Sequence, residues 1–383
     1  MHVGLVVYGS LEETSGGFRY DRRLVSHLER RGDDVEVIAL PWRSYRRHLL
    51  DGVSRSIRKR LDRPFDVLLQ DELCHPSLWR HNDRLEQPET IVSLVHLLRS
   101  GHPGSQLRPW QFVETAIERR YLEGVDAAVC TSKDTRVRTD SLADLPTLVA
   151  PPGGRVEGAA VDAETVTARA RTAGPLRITF LGNVIPRKGV LTLLEALEQV
   201  DCAWELTVAG SLTANPAYAD SAVAFADNCE MDDRVAFAGE VTDAALESLL
   251  ERSHVLAVPS TYEGFGMVYL EAMEYGVVPV ASAVGGAREF VDDEQNGFLV
   301  EPAKPDAIAT AIERLGTDRD ELAALGVNAL ETAAAHPTWE ETMSRVRTFL
   351  LEQAGKQRRN RHAGKRVRTR AKPESEQIDG DHA

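Results

Sequence analysis

Several features that mark large classes of protein are missing from this chain. Its four cysteines, Cys74, Cys130, Cys202 and Cys229, are widely spaced and include no Cys-x-x-Cys pair. This argues against a disulfide framework and a structural zinc site, and buried free thiols are expected. No uninterrupted apolar run is long enough to span a bilayer. Met1 to Val7 runs straight into a strand without a charged and apolar leader, so the expected location is the cytoplasm. The first strand is not followed by a Gly-x-Gly-x-x-Gly turn, which disfavours a nicotinamide or flavin enzyme, and no cofactor is expected. Lysine is scarce beside arginine, and acids outnumber bases to give a formal net charge of −14. That excess resists nonspecific binding to nucleic acid, so no specific nucleic-acid partner is expected. It would also suit a high-salt cytoplasm.

What is present is globular and repetitive in its organisation. With 383 residues, 43% of them hydrophobic, the chain can bury two cores. Apolar runs at 2–8, 35–40, 65–69, 90–95 and 127–131 read as buried strands, and amphipathic or glycine-bounded helices alternate with most of them. Pro151-Pro152-Gly153-Gly154 reads as the turn that ends this series. The alternation restarts at Arg177 to Leu181 and continues through 205–210, 235–238, 254–258 and 277–281. The expected fold class is α/β, with two Rossmann-like domains over 1–170 and 171–335. A last helix within 336–352 has Trp339, Met343, Val346 and Phe349 on one side and needs a partner for that face. Residues 353–383 carry a basic run and then an acidic end, and are expected to be a disordered charged tail whose basic part could touch an anionic membrane or simply stay solvated.

The stretch Pro259 to Glu271 is the most informative. An apolar strand leads into a glycine-containing turn, and an expected helix over Met267 to Tyr275 is stopped by Gly276. Backbone N–H groups at a helix start favour an anion such as a phosphate. Gly264 and Gly266 would let a ligand approach the main chain, and Glu263 and Glu271 are suited to accept hydrogen bonds from sugar or ribose hydroxyls. The same residues would also make a tight strand-to-helix connection with two solvated glutamates.

Other candidates gain meaning from position. His96 stands at the C-terminal end of a strand, where open α/β sheets bind ligands, and is a better candidate than His102 in the following loop. Arg187 and Lys188 precede a helix and place positive charge where a phosphate would meet it. Asp71, Glu72, His75 and His81 fit no compact metal-ligand spacing, so no metal site is expected. Residues 43–63 are dense in arginine with apolar residues at helical spacing. Such a basic amphipathic helix could lie on an anionic membrane, hold a phosphorylated acceptor, or simply pack on the sheet with its charges solvated.

Taken together, these motifs resemble the retaining glycosyltransferases of the GT-B fold, in the large family 4 group that uses nucleotide-sugar donors. The resemblance spans residues 1 to 351 and is strongest from Phe180 to Pro302. Glu263 and Glu271 match that family's paired glutamates, with seven residues between them and Gly-Phe-Gly after the first. The resemblance implies that Glu263 faces the transferred sugar and that Gly264, Phe265, Gly266 and Met267 present main chain to sugar and diphosphate. It further implies that Glu271 binds the ribose and Lys188 the departing phosphate, which with Glu263 and His96 makes the implied catalytic set. Gly16 and Gly17 match the glycine-rich loop of the cleft, His96 a histidine near the transferred sugar, and Gly285, Gly286 and Glu289 a later loop.

The family's arginine after the strand glycine is replaced by Asn183, so the resemblance requires Arg187 to compensate or the leaving group to be held more weakly. The implied function is metal-independent transfer of a sugar, with a hexose expected, from a nucleotide sugar to an unidentified acceptor. Anomeric configuration would be retained through a front-face displacement. Two alternatives from other classes are a catalytically weak binding or assembly protein with the same fold and a sugar-nucleotide epimerase.

Overall fold

The computed structural model describes residues 1–13, 15–101, 110–156 and 158–370, with Gly101 and 357–370 described in backbone only. His102 lies outside the described residues.

The first series of elements runs β1 (His2–Tyr8), α1 (Gly16–Arg30), β2 (Asp34–Leu40), α2 (Tyr45–Asp51), α3 (Arg55–Leu61), β3 (Val67–Asp71), α4 (His75–Leu78), β4 (Ile91–Val95), α5 (Gln111–Leu122), β5 (Ala127–Cys130), α6 (Lys133–Leu142) and β6 (Thr147–Val149). The second runs α7 (Ala163–Arg171), β7 (Leu176–Leu181), α8 (Val190–Leu197), β8 (Trp204–Ala209), α9 (Pro216–Asn228), β9 (Val235–Gly239), α10 (Asp243–Arg252), β10 (Val255–Val258), α11 (Met267–Met273), β11 (Val278–Ser282), β12 (Phe298–Val300), α12 (Pro305–Thr317), α13 (Arg319–Ala334) and α14 (Trp339–Arg370).

Each series builds one six-stranded sheet, ordered β2-β1-β3-β4-β5-β6 and β12-β11-β10-β7-β8-β9. The strand pairs are parallel, as expected where helices connect strands and cover both faces. That coverage explains the unbroken apolar runs: β3 and β4 are buried along their whole length. The segments that follow β1, β4 and β5 meet those that follow β10 and β11, at the C-terminal ends of the strands, which is where a doubly wound sheet binds ligands.

The domain limits differ from the sequence expectation. Helix α7 packs on the second domain, where Arg169 donates to the carbonyls of Glu251, Tyr275 and Gly276. Gly276, at φ +61°, leaves room for Val166 of the same helix, since a Cβ there would lie 2.3 Å from Val166 Cγ2. Residues 163–170 therefore belong to the second domain, and the boundary falls in the connector after β6.

Three further expectations are corrected. The basic stretch 43–63 is not one helix, because Gly52 and Val53 break it into α2 and α3. Helix α11 ends at Met273 rather than Tyr275. The final helix runs to Arg370, so 353–370 is helical rather than disordered; it holds no proline and is rich in arginine, lysine, glutamine and alanine, all good helix formers. The two three-residue strands β6 and β12 carried too short a pattern to read.

Helix α14 crosses back to the first domain, where Met343, Val346, Leu350 and Ala354 join the core around Phe18, Tyr20, Leu24 and Leu28. Asp33 accepts from Arg347 at 2.6 Å, and Glu340 takes Arg31 at 2.6 Å and His27 at 3.2 Å. The two segments that pass between the domains touch: Trp339 Nε1 donates to the Gly154 carbonyl at 2.7 Å, and His336 Nε2 lies 3.0 Å from the Pro152 carbonyl. Leu350 is fully buried, so Leu350→Ala should lower stability by about 2–5 kcal/mol. Denaturant unfolding checks this, and a loss below about 0.5 kcal/mol would show that α14 is not part of that core.

Candidate functional site

The centre of the cleft is the turn between β10 and α11. Gly266 sits at φ +93°, a conformation L side chains rarely adopt, and its missing Cβ leaves room for the Tyr269 ring. A Cβ on Gly264 would lie 2.0 Å from the His96 carbonyl oxygen, so the turn rests directly on the first domain. The Gly285–Gly286 loop braces it from behind: Gly286 N–H donates to the Glu263 carbonyl at 3.0 Å, and a Cβ on Gly285 would meet the same oxygen at 2.0 Å. Glu289 lies further along that loop and accepts from Asp134 N–H at the start of α6, while Tyr262 O–H donates to Asp134 at 2.7 Å. The Phe265 ring stacks on Phe290 at 4.9 Å and is buried.

Glu263 is buried and ionised. Its Oε1 receives Lys188 Nζ at 2.7 Å, Ser260 Oγ at 2.6 Å and lies 3.2 Å from Arg187 Nη1. Burial alone would raise this carboxyl, but Lys188, then Arg187, then the hydrogen bonds outweigh it and hold Glu263 at about 2. Burial pulls the Lys188 ammonium below its ordinary value, with Glu263 opposing. Arg187 is fixed to the same turn by donating to the Tyr262 carbonyl at 2.9 Å. Asn183 is exposed in the loop after β7, next to Gly182, whose missing Cβ accommodates the Lys188 side chain.

Glu271, one turn into α11, is buried beside two arginines from outside the second sheet. Arg19 of α1 donates to its Oε1, and Arg155 of the connector lies 3.8 Å from its Oε2. Arg19 belongs to the helix that opens with Gly16 and Gly17, capped by Ser15, whose hydroxyl accepts from Phe18 N–H at 3.3 Å. A Cβ on Gly16 would lie 3.2 Å from Met267 Sδ, and one on Gly17 3.4 Å from the His96 ring. The glycine loop, the paired-glutamate turn and His96 are therefore one assembly.

His96 anchors a buried charge cluster. Its Nε2 lies 3.1 Å from Asp21 Oδ1, and its N–H donates to Glu72 at 2.7 Å. Burial works against the imidazolium, but Asp21, then Asp71 and Glu72, raise His96 to about 9. Burial, then the Asp21 charge, lift Asp71 to about 7, and burial, then Asp71, lift Glu72 well above the carboxylate range. Asp21, Asp71 and His96 each present one atom within 4.8 Å of the others, a spacing a metal ion could bridge. The four residues weighed from sequence do not assemble: His75 Nδ1 bonds the Glu72 carbonyl and His81 Nε2 the Asp51 carbonyl, so only Asp71 joins that trio.

With this geometry in view, residues 165–332 match the family described as glycosyl transferases group 1. The match falls on the second domain. Similar proteins include a GDP-mannose-dependent alpha-(1-6)-phosphatidylinositol monomannoside mannosyltransferase of Mycobacterium tuberculosis, 30% identical over 256 residues, which are 62% of this chain and 65% of that protein. A D-inositol 3-phosphate glycosyltransferase of Xylanimonas cellulosilytica is 33% identical over 243 residues, 58% of this chain and 56% of that one. The chain thus spans less than two thirds of either relative.

Among solved structures, sucrose-phosphate synthase from Thermosynechococcus elongatus superposes with a TM-score of 0.77 at 21% identity, covering 91% of this chain and 98% of that one. Anabaena Alr3699/HepE in complex with UDP-glucose gives 0.70 at 18% identity, covering 92% and 100%. These likenesses establish the two-domain GT-B fold.

Across the two domains, four contributors were missed in the sequence: Arg19, Asp21, Arg155 and Ser260. Asp21 did leave a signal, since it falls on the same face of α1 as Leu24 and Leu28, where a carboxylate is out of place unless paired. Arg155 gave none, because only the fold brings the connector to α11. Asp21→Asn should move the His96 titration, read by NMR of labelled histidine, down from about 9. Because the folded value exceeds the ordinary one of about 6.5, the pair's stabilisation is fully present below pH ~6.5 and lost as pH rises through about 9. An unchanged titration would remove Asp21 as the cause.

Proposed function

We propose that this protein is a retaining glycosyltransferase that moves a sugar, a hexose by preference, from a nucleoside diphosphate donor on the second domain to an acceptor hydroxyl held by the first. The observation that carries this reading is the contact of the Glu263–Gly264 turn, with Lys188 and Arg187 on its carboxylate, against the His96 main chain of the other domain. The two domains touch there, which supports a site shared between them.

In this reading the diphosphate lies along the main chain of Gly264 to Met267 and draws Lys188 and Arg187 from Glu263, which then faces the sugar. The bond from the anomeric carbon to phosphate breaks while the acceptor oxygen bonds the same face. The acceptor proton passes to the departing phosphate oxygen, and Lys188 and Arg187 stabilise the charge that develops there. His96, favoured as an imidazolium, serves as a hydrogen-bond donor to the sugar or acceptor and not as a base. Arg187 supplies positive charge where Asn183 has none.

A panel of UDP- and GDP-sugars tests the reading, with acceptors that include the inositol-phosphate compounds named for the similar proteins. Nucleoside diphosphate should be released only with acceptor present, and NMR should show the product with the donor's anomeric configuration. Conversion of donor without acceptor would point to an epimerase, and absence of both turnover and donor binding would sink the proposal. Lys188→Ala should lower kcat about 100-fold or more, and Arg187→Ala nearly as much. Full activity of the Arg187 variant would remove it as the replacement for the missing arginine.

We also propose that the first domain touches an anionic membrane surface. Trp42, Leu50, Val53, Trp110 and Phe112 are exposed beside the basic residues of α2 and α3, and the Arg46 guanidinium lies 4.8 Å over the Trp110 ring. No helix among the described residues is long and apolar enough to cross a membrane, so the contact would be peripheral. Neutralising Arg46, Arg47, Arg58 and Lys59 together should lower sedimentation with anionic vesicles, and unchanged binding would reject the role.

A further inference from the structure

Glu271 has the burial and position expected of a ribose ligand, yet its oxygens are engaged. Oε1 accepts from Arg19, and Oε2 faces Arg155 at 3.8 Å. Two ribose hydroxyls need both oxygens of one carboxylate, so a nucleotide and Arg19 compete for the same group. Arg155 stands further off and has Asp243 and Glu247 as other partners, so it need not leave.

The destination of a displaced Arg19 is set by its helix. Gly16 lies one turn before Arg19 on α1 and rests against Met267, which lies one turn before Glu271 on α11. The two helices thus meet in two rungs about 5.4 Å apart, first Gly16 with Met267 and then Arg19 with Glu271. Side chains in a helix lean toward its N-terminus, so Arg19 is directed along α1 toward the Gly16–Met267 rung. That rung is where the donor reading puts the diphosphate, and a guanidinium suits a diphosphate better than an asparagine does.

We propose that Arg19 is a donor-binding residue that pairs with Glu271 in this conformation and transfers to the donor diphosphate when the ribose takes Glu271. The inference rests on the donor reading above and extends it: the positive charge absent at Asn183 comes from the first domain as well as from Arg187. Binding the donor would then tie the domains together through phosphate, in place of the direct ion pair.

The consequence is that one substitution acts with opposite sign on two ligands. Removing Arg19 frees Glu271 for ribose but deprives the phosphates of a cation. Titrations of uridine, guanosine and adenosine, and of their diphosphates, against the full chain with Arg19, Arg19→Ala and Arg19→Lys separate these effects by ligand-observed NMR.

For the base that binds, Arg19→Ala should weaken the diphosphate about tenfold and tighten the nucleoside several-fold, a charge-assisted contact being lost in one case and a competitor in the other. Arg19→Lys should lie between Arg19→Ala and wild type for the diphosphate. Tighter nucleoside binding also shows that the variant is folded. If wild type binds the diphosphate but Arg19→Ala shifts both ligands in one direction, or neither, the inference is overturned and the donor reading stands. If wild type binds no nucleoside diphosphate, the donor reading falls and takes the inference with it.

Discussion

Burial of the Glu263 carboxylate is the constraint on which the cleft depends. Removing such a group from water costs several kcal/mol, and it is tolerated only where cations and donors surround it. Lys188, Arg187 and Ser260 meet that need, and each constrains its own segment in doing so. Lys188 fixes the loop after β7, Ser260 the end of β10, and Arg187 ties both to the Tyr262 carbonyl. A phosphate entering beside this cluster would meet Lys188 and Arg187 already held at the turn, within reach of both Glu263 and the new charge.

The first domain repeats the pattern with the sign reversed. There a cation, His96, is held by several acids, and the low dielectric that strengthens the Asp21 contact also keeps Asp71 and Glu72 from ionising freely. The two charge clusters are separated by little more than the Gly264–His96 main-chain contact. Glycines at 16, 17, 264, 285 and 286 are what permit such proximity, since most would place a Cβ within van der Waals contact or closer of the opposing segment.

Much of this was legible in the residues. Apolar runs located the buried strands because a strand covered on both faces leaves no polar alternation to confuse the reading. The paired glutamates, their glycines and Lys188 were visible because they lie within two short stretches whose spacing is set by local geometry. Arg19, Asp21 and Arg155 were not, because their partners lie on another domain or far along the chain. The same limit explains the domain boundary. Helix α7 follows the first sheet in sequence, but Val166 and Arg169 find their partners only around Gly276. Extension of α14 was obscured by its charge, which suggested disorder although the side chains concerned are helix formers.

Trp339 and His336 lie against Gly154 and Pro152, so the two covalent passages between the domains among the described residues run side by side. Two connectors in contact hold the domains together at one place, so any opening would pivot about that contact. The lips of the cleft furthest from it would travel most, and a distance between labels placed there would follow such a motion.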